Sequence, residues 1–114
     1  MIQSFDSRDF KFWHYTISHG QLLIRSIKSA SNATNIDIMF FDVDYVEIPR
    51  NLPNLKIEEA GDDDVLYIKE KIHKSVKPEN ITILSSNDKR YLVVASIMKI
   101  DENELDMFEL PFTK

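Results

Sequence analysis

The chain has 114 residues, about the size of one domain, and its 43% hydrophobic and 29% charged residues are the balance of a globular protein. It contains no cysteine, which excludes disulfides, thiolate metal sites and cysteine nucleophiles. Its net charge of −5 argues against general binding to nucleic-acid phosphates, because that binding needs clustered lysine and arginine.

The first predicted element is a β-hairpin. Aromatic and β-branched residues run from Phe10 to Ser18, and a second apolar run extends from Gln21 to Lys28. His19-Gly20 between the runs suits a two-residue turn, because glycine accepts the positive φ that such turns need. A two-residue turn fixes the register of the hairpin and predicts that His14 lies beside Arg25.

Three further strands are predicted before the pattern changes. Residues 35–41 alternate apolar and polar side chains, residues 43–48 follow after one interrupting aspartate, and residues 55–58 form a short strand at an edge. Pro49 and Pro53 lie between the last two, because proline cannot continue a strand ladder.

A helix is predicted over residues 63–77. Apolar residues recur there at three- and four-residue steps, at Val65, Ile68, Ile72 and Val76. Asp62, Asp63 and Asp64 supply the negative charge that favours a helix N-terminus, lysines crowd toward the other end, and Pro78 closes the helix.

Two more strands complete the predicted fold, at residues 81–84 and 90–98. The second is apolar on both faces and is therefore expected in the middle of a sheet. The fold class is α+β and mostly β. We predict a strongly bent antiparallel sheet or a small open barrel of about seven strands, with the helix between strands five and six.

We predict a single domain over residues 1–114, with residues 1–9 and 105–114 as candidates for flexible ends. The first residues show no basic start followed by an apolar run, and every apolar run is far shorter than a membrane span. A cytoplasmic protein without a membrane or nucleic-acid partner is the expectation.

The negative charge is concentrated in the second half of the chain. Residues 1–57 carry six basic and six acidic side chains, whereas residues 58–114 carry eight basic and thirteen acidic ones. The clusters lie at residues 58–64 and 101–106, and a field of this kind attracts a basic partner. The candidate contact residues are Glu58, Glu59, Asp62, Asp63 and Asp64. Solubility and helix capping are the alternative explanations, and the spacing of these acids does not match a calcium loop.

His14 and Arg25 are a second candidate site, with Tyr15 beside them. An arginine fork next to an imidazole could hold a carboxylate or a phosphate, whereas a packed strand face is the alternative. The chain has only two glycines and no Gly-x-Ser-x-Gly or His-Glu-x-x-His sequence, so an enzyme is the less favoured class. No catalytic residue, metal or cofactor is predicted.

The segment from Phe12 to Ser26, followed by residues 35–40, resembles small bacterial proteins of no assigned function. The resemblance covers the first hairpin and at most the first 60 residues. It implies that the hairpin is a structural unit and that the source is bacterial, and it brings no activity or site residue with it.

Two functions remain open. The first is a non-catalytic protein-binding domain, of the immunity or accessory type, that recognises a basic partner. The second is a small-molecule binder or modest enzyme with its ligand near His14, Tyr15 and Arg25, in a pocket lined by the first hairpin and Tyr91 or Tyr45. Homo-oligomerisation through an edge strand or the C-terminal tail is compatible with both.

Overall fold

A computed structural model describes residues 3–111, where eight strands form one open antiparallel sheet and one α-helix packs against it. The sheet order is β1-β6-β7-β8-β4-β3-β2-β5. The strands and helices are β1 (Gln3–Ser4), β2 (Asp9–Thr16), β3 (Gln21–Ser26), β4 (Asn35–Glu47), β5 (Asn51–Pro53), β6 (Lys56–Glu59), α1 (Asp62–Ile72), a short 3₁₀ helix (Pro78–Asn80), β7 (Ile81–Ser86) and β8 (Lys89–Asn103). The predicted antiparallel, mostly-β class is confirmed, with an open sheet in place of a barrel.

The predicted register of the first hairpin is wrong. The turn spans the four residues between Thr16 and Gln21 instead of His19-Gly20, and a bulge between Phe12 and His14 shifts the pairing again. As a result His14 lies opposite Leu23, and Arg25 lies opposite Lys11. A single extra residue in one strand changes every later pair, and the composition of the strand does not reveal it.

The two strands predicted at 35–41 and 43–48 are one long strand, β4. Asp42 adopts a φ of 58°, and the pairing with β8 shifts between Val43 and Tyr45, so the strand bends there without ending. The hairpin tip contacts this bend, because the Gly20 carbonyl accepts the Val43 N–H at 3.0 Å. Gly20 has a φ of 56°, and a Cβ there would lie 3.2 Å from the Val43 nitrogen.

The sheet curls around its main core. Buried side chains from β2 and β5 at one end of the strand order share this core with side chains from β6 and β7 near the other end. The chain passes directly from β5 to β6 through Asn54 and Leu55, which ties the two ends together. The fully buried members of this core include Phe10, Leu22, Ile24, Ile38, Phe40, Leu52, Leu55, Leu84 and Val93.

The helix covers the outer face of β7 and β8. Ile68 packs there against Ile81, Ile83, Leu92 and Val94, which alternate along their strands with the residues of the main core. Both faces of this part of β8 are therefore buried, as its apolar pattern predicted, and β8 lies between β7 and β4.

The predicted helix, 63–77, is too long at its C-terminal end. Helix α1 starts at Asp62 and ends at Ile72, because His73 takes the left-handed conformation and donates its N–H to the Lys69 carbonyl at 2.9 Å. Because two predicted strands merge into β4 and the unpredicted short strands β1 and β5 are added, the structure has eight strands instead of seven. The helix consequently follows the sixth strand instead of the fifth.

Both ends named as candidates for flexibility contact the rest of the fold. Residues 3 and 4 form β1, Phe5 is buried, and β2 begins at Asp9, while the carbonyls of Leu105 and Glu109 accept hydrogen bonds from Asn35 and Arg25. Residues 1–2 and 112–114 of those predicted ends lie outside the described residues. Between residues 3 and 111, no helix is long and apolar enough to cross a membrane.

Candidate functional site

One cavity lies where β8 extends beyond its pairing with β7. Strand β7 pairs with β8 only from Lys89 to Val94, while β8 continues to Asn103. Within the part of the chain that the structure describes, residues 95–103 pair with β4 alone. A cavity of about 440 Å³ opens beside this free edge, between the strand, the 3₁₀ helix and the end of β6.

The floor of this cavity is apolar. Ile57 and Ile81 are almost fully buried, and Met98 and Ile100 are half-buried side chains that pack against the main core. The register pairs Met98 with Phe40 and Ile100 with Ile38, both of them fully buried, so β8 exposes the margin of the core at this point. We call this cavity, lined by Ile57, Glu58, Glu59, Glu79, Ile81, Met98 and Ile100, the β8 groove.

The rim of the β8 groove is acidic. Glu58 and Glu59 end β6, and Glu79 lies in the 3₁₀ helix on the other side. No lysine or arginine occurs among the described residues that line the groove. The amino terminus of the chain hydrogen-bonds to Glu59 and lowers the pKa of that carboxyl, so Glu58 and Glu79 are the rim carboxylates that give the opening its negative potential, which favours cationic ligands.

The other half of the acidic segment supports the helix. Asp64 accepts the Gly61 N–H at 2.8 Å and binds both terminal nitrogens of Arg90, at 3.0 and 3.1 Å. The hydrogen bonds from Arg90 outweigh burial and lower the pKa of Asp64, and the same bonds raise the pKa of Arg90. Asp62 and Asp63 are exposed in the first turn, where negative charge complements the helix dipole. The acids predicted as one contact surface thus occupy two environments.

Arg25 is fully buried, and its charge is matched inside the protein. Its Nε and Nη2 donate to the two carboxylate oxygens of Asp37, at 2.6 and 3.0 Å, on the neighbouring strand β4. The guanidinium also lies 5.7 Å from the centre of the Trp13 ring. The guanidinium that we predicted as a ligand-binding group is therefore already bound to Asp37.

The same cluster anchors the C-terminal segment. Arg25 donates to the carbonyls of Met107 and Glu109, at 3.5 and 3.0 Å, and Asn103 donates to Asp37 at 2.8 Å. The Phe108 ring between those two carbonyls is 85% exposed. The sequence analysis did not identify this cluster. The available signal was that Arg25 and Asp37 lie on the faces of β3 and β4 opposite to the faces that carry the buried Ile24 and Ile38.

The histidines do not converge. The ring of His14 lies 3.0 Å from the Thr16 hydroxyl, His19 lies in the hairpin turn, and His73 ends the helix. Among residues 3–111, no three histidine, aspartate or glutamate side chains are grouped so as to hold a metal ion.

Two smaller cavities flank β4. One, of about 270 Å³, is lined by Phe12 and Tyr15 of the first hairpin and by Asp44 and Tyr45. The other, of about 330 Å³, lies beside Glu47, Tyr67 and Arg90.

Tyr45 and Tyr67 both donate to the same oxygen of Glu47, at 2.8 and 2.7 Å. The hydrogen bond to this carboxylate raises the pKa of Tyr67 to about 12. The ammonium group of Lys71 lies 5.3 Å from the centre of the Tyr67 ring and makes a cation–π contact with it. The polar groups beside this second cavity are therefore engaged with one another.

Comparison with known protein families, with curated proteins and with solved structures finds no match for this chain.

Proposed function

We propose that this protein is a non-catalytic binding domain that holds a basic, partly apolar segment of a protein partner in the β8 groove. The observation that carries the proposal is the combination of an apolar floor at Ile57, Met98 and Ile100 with the acidic rim at Glu58, Glu59 and Glu79. An apolar side chain of the partner would displace water from the floor, while its lysines or arginines would face the rim.

The size of the groove fits this role. About 440 Å³ is within the range of cavities that enclose a small ligand or a few side chains. The acidic segment predicted from the sequence contributes to the groove through Glu58 and Glu59, and the aspartates that follow are occupied with helix α1. Partner contact is therefore assigned to the acidic rim, with Glu58 and Glu79 as its principal carboxylates, and not to Asp62, Asp63 or Asp64.

The test is differential capture with two variants of equal charge. The tagged wild type, Glu58→Gln/Glu59→Gln and Asp62→Asn/Asp63→Asn are incubated with lysate of the source cells, and bound proteins are identified by mass spectrometry. We expect a basic protein to be retained by the wild type and by the aspartate variant, and lost from the glutamate variant. Retention should also fall as salt is raised, because exposed charges are screened.

Equal retention on both variants would contradict the assignment to the groove. Thermal unfolding of each variant serves as the folding control, since Asp62 and Asp63 favour the helix N-terminus and their removal costs a few tenths of a kcal/mol to about 1 kcal/mol each.

A small-molecule binder is the second candidate, and the cavity at Phe12, Tyr15 and Tyr45 is the observation in its favour. Its aromatic walls suit a small aromatic or aliphatic amine, and Asp44 at its edge is paired with Lys74 at 3.0 Å. Tyr15→Ala would abolish binding of such a ligand, whereas the Glu58→Gln/Glu59→Gln variant would retain it.

A further inference from the structure

Strand β8 presents an unpaired edge along the β8 groove. In the described chain, residues 95–103 have strand partners on the β4 side only. Along an edge strand, alternate residues direct both their N–H and their C=O away from the sheet. The groove therefore has a ladder of backbone donors and acceptors beside its apolar floor.

The side chains of β8 alternate in a way that suits an added strand. Met98 and Ile100 face the core side and line the groove, while Ile97, Lys99 and Asp101 face the opposite side of the sheet. A strand placed next to β8 would follow the same alternation. Every second side chain of that strand would cover the apolar floor, and the others would lie near Asp101 and the exposed Ile97.

We infer that the partner segment binds by strand addition, as an extended chain that pairs with the free edge of β8 at residues 95–103. This inference rests on the proposed function and specifies how the partner is held. The occupant is a segment with apolar side chains at alternate positions and lysine or arginine between them, because the apolar side chains match the floor, the cations lie on the face that carries Asp101, and the acidic rim of the groove attracts a basic segment.

A second copy of this chain is the less suitable occupant. The free edge carries Asp101 and Glu102, and the groove carries three glutamates. Two copies paired through this edge would bring their acidic grooves together, which opposes association. Charged edge residues of this kind are a common protection against self-association, and they select a basic partner.

The test uses a synthetic peptide of alternating lysine and valine and two N-methylated forms of it. One form is methylated on every valine nitrogen and the other on every lysine nitrogen, so their charge and composition are the same. In an extended peptide these nitrogens point to opposite edges, and only one edge can pair with β8. Affinity for the full-chain protein is measured by isothermal titration calorimetry at low salt.

Strand addition predicts that the unmodified peptide and one methylated form bind alike, while the other form is weakened about tenfold or more. Equal affinity of the two methylated forms, or no binding of the unmodified peptide, overturns the inference. If both methylated forms bind equally and Glu58→Gln/Glu59→Gln weakens both, strand addition fails and the groove function stands. If that variant binds the unmodified peptide as well as Asp62→Asn/Asp63→Asn does, the proposed function itself fails.

Discussion

Arg25 and Asp37 illustrate how a single residue pair fixes part of the structure. Both side chains are fully buried, and the two hydrogen bonds between them leave the remaining arginine donors for the carbonyls of Met107 and Glu109. A buried ion pair adds little stability compared with an apolar pair of the same size, but loss of one partner leaves an uncompensated charge. The pair therefore makes the position of the C-terminal segment depend on β3 and β4.

Replacement of Asp37 with asparagine tests this dependence. We expect Asp37→Asn to lower the free energy of unfolding by about 3–5 kcal/mol, because the Arg25 charge remains buried without a counterion. Urea unfolding measures the loss. The double variant Arg25→Met/Asp37→Leu should recover most of it, and a double variant as unstable as the single one would contradict this explanation.

Asp64 gives a prediction for pH dependence. Its pKa is lowered in the folded protein by the hydrogen bonds from Arg90, so the stabilisation is present above the unfolded carboxyl pKa of about 3.9 and is lost as pH falls through the lower folded pKa. We expect Asp64→Asn to cost about 1 kcal/mol near neutral pH, a modest value because Arg90 is half exposed.

The difference between wild type and Asp64→Asn should therefore shrink below about pH 4. Asp63→Asn is the matched control: it removes the same charge from the same helical turn at an exposed carboxylate. A pH-independent difference for Asp64→Asn would contradict the role assigned to Arg90.

Among the strands and the helix, the features predicted correctly are those marked by nearby residues in the sequence. The helix start, the apolar β8 and the proline-bounded end of β4 follow from dipole preference, two-faced burial and the missing proline N–H. The bulge near Trp13 and the left-handed Asp42 and His73 are not marked by any such signal in the sequence. The four-residue turn, in place of the predicted two-residue turn, was enough to separate His14 from Arg25 and so to remove the second candidate site.

The end of the helix offers a direct test at this scale. His73 has a φ of 58°, a conformation that costs a residue with a Cβ roughly 1 kcal/mol relative to glycine. We expect His73→Gly to raise the free energy of unfolding by about 0.5–1 kcal/mol, measured by urea unfolding. His73→Ala keeps the unfavourable Cβ and should bring no gain, so equal stabilisation by both changes would contradict the αL explanation.

At the scale of the whole molecule, the curled sheet brings distant segments to one opening. The β8 groove combines the end of β6, the 3₁₀ helix and the free part of β8, and it exists because β7 is shorter than β8. The clustering of acidic residues in the sequence identified Glu58 and Glu59 as candidate contact residues. That Glu79, Met98 and Ile100 line the same cavity could be recognised only from the order of the strands in the sheet. Long-range pairing of this kind is not encoded in any local pattern.

The free edge predicts how the molecule responds to loss of charge. We expect Asp101→Asn/Glu102→Gln to increase self-association at high protein concentration, because these acids oppose pairing between two β8 edges. Light scattering compares this variant with Asp62→Asn/Asp63→Asn, which has the same net charge. Equal behaviour of the two variants would show that net charge alone, and not its place on β8, keeps the copies apart.

NMR mapping of the binding face shows whether a basic, partly apolar segment binds in the β8 groove. The full-chain protein is titrated with the unmodified lysine–valine peptide at low salt, and side-chain methyl signals are followed by NMR. We expect saturable shifts at Ile57, Ile81, Met98 and Ile100, which weaken in Glu58→Gln/Glu59→Gln and persist in Asp62→Asn/Asp63→Asn. Shifts confined to residues around Phe12 and Tyr45 or around Phe108, or no saturable shift at all, would contradict it.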